Sequence, residues 1–101
     1  MFILIPVDGI DEKLSKITTI ANYKKWALID FNNGRSQDVS FYDDKDDTKA
    51  DFIDFIILEN KFENYLDFMN EGIMVLVRRE EETIEDIIEA FKFKELDEAG
   101  L

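Results

Sequence analysis

Apolar residues fall into short runs separated by polar, mostly acidic stretches. The first run, Phe2–Val7, is continuous and ends at Asp8-Gly9, as in a strand buried on both faces of a sheet. Residues 10–20 are mixed, with Leu14, Ile17 and Ile20 spaced as on one helical or irregular face. Residues 26–31 predict a strand, and Asn32-Asn33-Gly34-Arg35 a hairpin turn, because Asn and Gly accept the positive φ such turns require. The return strand, 37–42, sets Val39 and Phe41 on one face.

The run DDKDDTKAD at 43–51 predicts a solvated loop or the frayed start of a helix. It lacks the glycine and terminal glutamate of a calcium-binding loop. Residues 52–59 predict a second buried strand. Asn60 with Glu63 three residues on predicts a cap for a helix over about 61–71, whose stripe Phe62, Tyr65, Leu66 and Met69 faces the core until Gly72 ends it. Residues 73–79 predict a third buried strand. Thr83, with Asp86 three residues on, caps a helix over about 84–92 that buries Ile84, Ile87, Ile88 and Phe91. Glu80, Glu81 and Glu82 stand just before this cap, where they suit the positive end of the helix dipole.

The order is strand, hairpin of two strands, strand, helix, strand, helix. Its second half is a β-α-β unit, which demands parallel pairing. The expected fold class is therefore α/β: a single domain over residues 1–101 with a mixed, mostly parallel five-stranded sheet, an antiparallel hairpin and two main helices.

Charge and chemistry narrow the function. Asp and Glu number 24 against 12 Lys and Arg, a formal net charge of -12. Such a surface repels nucleic acid and anionic membranes, whose binding draws on Lys and Arg, so neither partner is expected. There is no cysteine and no histidine, hence no disulfide, no thiolate or imidazole ligand and no imidazole base. The first residues lack the basic start and long apolar core of a signal peptide, and no run reaches the ~20 residues of a membrane span. The expected location is the cytoplasm.

The segments ILIPVDG, WALIDFNNG, DFIILEN, LDFMNEGIMVLV and TIEDIIEAF, in this order, resemble the dinitrogenase iron-molybdenum cofactor biosynthesis family, the NifX-like domains. The resemblance spans nearly the whole chain. It implies a ribonuclease-H-like sheet, with the hairpin beside the first strand and parallel strands on the other side. It also implies a role in binding iron-sulfur or molybdenum-containing clusters, or in carrying their precursors to nitrogenase assembly. Two features depart from the family. Ile17-Thr18-Thr19-Ile20-Ala21 stands where members often carry a Ser-Pro-His-Phe-Gly-like segment, so Thr19 takes the place of the histidine near the cluster. Residues 43–51 replace a full helix. With only oxygen and thioether donors, no iron-sulfur or iron-molybdenum cofactor is expected here; one is suggested by the resemblance alone.

Asp8 ends the first strand, where nucleases of this fold class hold metal with carboxylates. Asp30 and Asp54 lie in or near other strands, but the resemblance supplies no matching acidic set, so no catalytic or metal-ligating residue is expected. Asp8 is expected to cap the turn at Gly9 with its side chain. Ligands of open α/β sheets settle beyond the carboxyl ends of the strands, which makes Asp8, Gly9, Thr18, Thr19, Asn22 and Asn60 the candidate crevice residues. The expected function is a non-enzymatic accessory or carrier protein of the cofactor-biosynthesis type, acting on a protein partner or small ligand. The alternative is a protein-interaction or regulatory module in which Tyr23, Trp26 or Tyr42 meets the partner.

Overall fold

The computed structural model describes residues 1–48 and 50–99; Lys49, within the acidic 43–51 run, and the last two residues lie outside them. At the centre is β1 (Phe2–Val7), whose residues 3–7 are all buried. It pairs antiparallel with β2 (Lys25–Asn32), from Phe2 opposite Asp30 to Val7 opposite Lys25, and parallel with β4 (Phe55–Leu58). β2 turns through Asn33 (φ 54°) and Gly34 (φ 78°) into β3 (Arg35–Tyr42), the two-residue turn that the Asn-Gly pair predicted. A bulge between Asp30 and Phe31 shifts the hairpin register, so that Val39 and Phe41 still pack on the core.

Beyond β4 lie β5 (Met74–Val77), parallel to it, and β6 (Asp97–Glu98), antiparallel to β5. The sheet order is β3-β2-β1-β4-β5-β6. The expected α/β class holds, with the hairpin on one side of β1 and parallel strands on the other. Two points are corrected. The sheet has six strands rather than five, and three of its five ladders are antiparallel, so it is mixed but not mostly parallel. The sixth strand is two exposed acidic residues that no apolar pattern marks. It is held by ladder pairing, by Ala99 N–H donating to Val75 O and by an Arg79–Asp97 ion pair of 3.0 Å, and it covers the β5 edge.

Both faces of the sheet are covered. Ile3, Ile5, Val7, Ala27, Ile29 and Ile57 meet Ile84, Ile87 and Ile88 of α2 (Ile84–Lys92). Leu4, Trp26, Leu28, Ile56 and Leu58 meet Phe68 of α1 (Leu66–Asn70), with Ile20, Tyr23, Ile53 and Tyr65 filling in around it. α2 has the predicted bounds and the predicted cap: Thr83 Oγ1 accepts from Asp86 N–H at 3.2 Å.

α1 is shorter than the expected 61–71 helix, and its stripe is different. Phe62 is 87% exposed, and Leu66 and Met69 are exposed, while Phe68 is the buried residue. The Asn60-Glu63 pair does form, with Asn60 N–H donating to the Glu63 carboxylate, but no helix follows from it: 60–65 stays irregular and Glu63 also accepts from Ile20 N–H and Glu59 N–H. The 52–59 strand is trimmed to β4, with Phe52 exposed, and residues 73–79 to β5. In 10–20, Ile17 is buried and Ile20 half-buried, but Leu14 is exposed, so the three do not share a face. The 43–51 run contributes one 3-10 turn, Lys45–Asp47, capped by Asp44. No helix among the described residues is long and apolar enough to cross a membrane.

The reassigned stripe gives a direct test. Phe68→Ala should cost about 3–5 kcal/mol in urea unfolding, as for a buried aromatic, whereas Phe62→Ser should stay within about 0.5 kcal/mol of the parent. The reverse ranking would restore the helix that the spacing predicted.

Candidate functional site

The carboxyl ends of β1, β4 and β5 open on one edge of the sheet. The chain leaves β1 toward β2 on one side and returns to β4 on the other, so the topology switches between β1 and β4 at this edge. Three loops meet there: residues 8–24, 59–65 and 78–83.

The first loop is tied down by its backbone. Asp8 N–H donates to Lys16 O (3.0 Å), Thr18 N–H to Pro6 O (2.9 Å), Ile17 N–H to Glu82 O (2.8 Å) and Lys24 N–H to Val7 O (2.9 Å). Asp8 Oδ1 accepts from Lys16 N–H at 2.8 Å. This bond closes the loop between Asp8 and Lys16, where the sequence suggests a cap on the turn at Gly9. Inside this loop, buried Ser15 accepts from Asp11 N–H at 3.0 Å, and a Cβ on Gly9 would stand 3.2 Å from Ser15 Oγ, so a side chain there would require the hydroxyl to give by a few tenths of an ångström. The amides of Leu14 and Lys13 donate to the Asp11 carboxylate and hold its pKa below the usual carboxylate value. That tie is present above the ordinary carboxylate range and is lost as the pH falls through the depressed value.

The second tie is Glu63. One carboxylate oxygen accepts from Ile20 N–H (2.5 Å), and the other from Glu59 N–H (3.0 Å) and Asn60 N–H (3.1 Å). Amides from two loops that are 43 residues apart in the chain thus converge on one anion of the protein itself. The Asn60-Glu63 spacing did predict the contact back to Asn60, as a capping pair; the bond to Ile20 had no signal in the sequence. Arg78, which sequence reasoning also missed, closes the third loop: its Nε donates to Glu59 O (3.2 Å) and its Nη1 to Glu81 O (2.8 Å), with Glu59 Oε1 3.8 Å from Nη2.

The edge carries two hollows. A shallow one of about 340 Å³ is lined by Thr19, Ile20, Ala21, Glu63 and Asn64. Another of about 610 Å³ is flanked by Asn60, Arg78, Arg79 and Asp97. All six predicted crevice residues lie on the loops at this edge, but Asp8, Gly9, Thr18 and Asn22 line neither hollow. Thr19 Oγ1 is buried and makes no hydrogen bond among the described residues.

The other acidic candidates are elsewhere. Asp30 pairs with Phe2, and Asp54 receives the Phe2 amide at 2.9 Å, both at the amino end of β1. At ~3.3 Å per strand residue, they stand roughly 20 Å from Asp8, too far to share the metals of a nuclease site. Among the described residues no three acidic side chains form a group that could hold a metal ion. Trp26, offered as a partner contact, is 2% exposed and packs against Tyr23 and Phe68; Tyr23 and Tyr42 are half-buried.

No sequence profile of a known family matches the chain, and no curated protein does. Solved structures do. A Methanocaldococcus jannaschii protein provisionally named a dinitrogenase superposes with a TM-score of 0.76 over 99% of this chain and 95% of its own, at 18% identity. A Thermotoga protein solved by NMR and provisionally named a NifB protein gives 0.71 over 96% and 91%, at 21% identity. The chain shares the fold of these proteins over nearly its whole length.

Proposed function

We propose that the chain is a non-enzymatic accessory protein of the cofactor-biosynthesis type, whose switch-point crevice is closed by its own carboxylate. One observation carries this reading: the three amides that converge at the crevice are all taken by Glu63. Oriented backbone amides are what would hold an anionic cluster in the absence of soft side chains. Here an internal anion occupies them, and the Arg78 guanidinium is held by Glu59 and Glu81.

The residues do not fit an iron-sulfur or iron-molybdenum cluster. The donors at the crevice are hydroxyl, amide and carboxylate oxygens, harder than such clusters prefer, and the buried Thr19 hydroxyl sits where the resemblance places a histidine. The names of the two structural neighbours support a nitrogenase-associated context, and their likeness in fold supports the accessory role. A second reading, a protein-interaction module, is favoured by the exposed Phe62 and Leu66 beyond β4.

Anaerobic reconstitution with iron and sulfide should leave no visible band on the protein after gel filtration. A band that persists, and is lost when residues 18–22 are altered, would overturn the closed crevice.

Glu63→Ala should destabilise the fold by about 2–4 kcal/mol in urea unfolding, because it orphans three amides, with Glu63→Gln recovering part through its one remaining oxygen acceptor. Thr19→Val should be neutral or stabilising by up to about 1 kcal/mol, since it removes an unpaired buried hydroxyl while keeping the shape. A large loss on Thr19→Val would show that the hydroxyl has a partner in solution.

A further inference from the structure

The opposite edge of the sheet carries a different kind of site. A cleft of about 640 Å³ lies between the amino ends of β4 and β5 and the C-terminal end of α2. Its volume is that of a pocket for a small organic ligand. The floor is aromatic: the Phe91 ring stands edge-on to Phe31 at 5.2 Å and to Phe55 at 4.9 Å between centroids, with Met74 beside them. Met74 and Phe93 are exposed large apolar residues.

Two lysines stand at the rim of this cleft in a chain of net charge -12. Lys92 is held by Glu89 at 3.7 Å; Lys94 makes no ion pair among the described residues, and Glu98 is the single acidic residue in the lining. Lys94 is also placed by an unusual backbone. Its φ is 58°, the left-handed region that favours glycine. Lys94 N–H donates to Phe91 O (3.2 Å) and Glu95 N–H to Ala90 O (2.9 Å), the paired bonds that end a helix over a left-handed residue. A lysine therefore occupies a position where glycine is the unstrained choice, and this exposed residue is among those that line the aromatic cleft.

We propose that this cleft binds a small aromatic carboxylate, with the ring on the Phe31–Phe55–Phe91–Met74 floor and the carboxylate at Lys94. Aromatic rings and a thioether favour a flat π-system on the floor. An ammonium with no ion pair among the described residues favours an anion. A second copy of this chain would instead bring another strongly acidic surface to the same edge.

The test is an NMR titration of the isotope-labelled full chain with naphthoate, and with the neutral naphthylmethanol, at one fixed salt concentration. Both should move the amide resonances of Leu76, Phe91 and Phe93 saturably, with naphthoate tighter by about threefold to tenfold. Lys94→Gly should erase that preference while leaving the urea midpoint unchanged or higher, because glycine suits the backbone there; loss of binding is then separable from loss of fold. Equal affinity of the two probes for the parent, or shifts confined to the Asn60–Arg78 edge, would overturn the proposal. So would resonances of the cleft that broaden with protein concentration before any probe is added, since a second copy would then be the occupant.

Discussion

Burial of β1 on both faces is the constraint on which the rest of the molecule depends. Ile3, Ile5 and Val7 are fully buried against the α2 side, and Leu4 against the α1 side, so each end of the strand must be finished without side chains reaching water from its middle. A strand with no solvent face also needs a neighbour on each edge. β2 supplies one through the hairpin, and β4 supplies the other only after the chain has crossed to the far side of β1. That crossing creates the switch between β1 and β4, and with it the crevice at their carboxyl ends.

The two edges of the sheet then diverge in chemistry. At the carboxyl edge the loops are bound to one another through polar groups: Asp8 to Lys16, Glu63 to three amides, Arg78 to two carbonyls. Glu63 and Arg78 are half-buried, where an unmade bond is costly, while Asp8 and Lys16 are exposed; together these bonds tie the loops of this edge to one another. At the amino edge, an aromatic cleft is lined by residues of β2, β4, β5 and the end of α2, with Lys92, Lys94 and Glu98 as its charged members. The fold shared with the two solved structures is compatible with either edge serving as a site, because function resides in the groups placed on a fold.

Part of the candidate site was legible. The strand ends that carry Asp8 and Asn60 follow from apolar runs and turn residues, and the Asn60-Glu63 spacing announced a carboxylate turned back on its own loop. The same spacing misled about the helix, because a capping pair fixes where amides are satisfied and not whether a helix continues from them. Phe62 and Leu66 fit a helical period but sit on a segment whose start is diverted by the bond from Glu63 to Ile20, and Phe68 takes the buried place instead. The aromatic cleft had no signature in the chain, since Phe31, Phe55, Met74 and Phe91 come from four separate elements.

By itself the sequence determined the local matters: which runs become strands, the Asn33-Gly34 turn, the Thr83 cap and bounds of α2, and the α/β class. Each depends on periodicity, backbone freedom or hydrogen bonds between residues a few positions apart, and these act before the chain has a tertiary fold. Tertiary structure alone decided the sixth strand, the shortened α1, the convergence of three amides on Glu63 and the cleft floored by Phe91. Each of those depends on groups tens of residues apart, as Arg79 with Asp97 and Ile20 with Glu63 are, and their energies exist only once the sheet has brought the groups within reach.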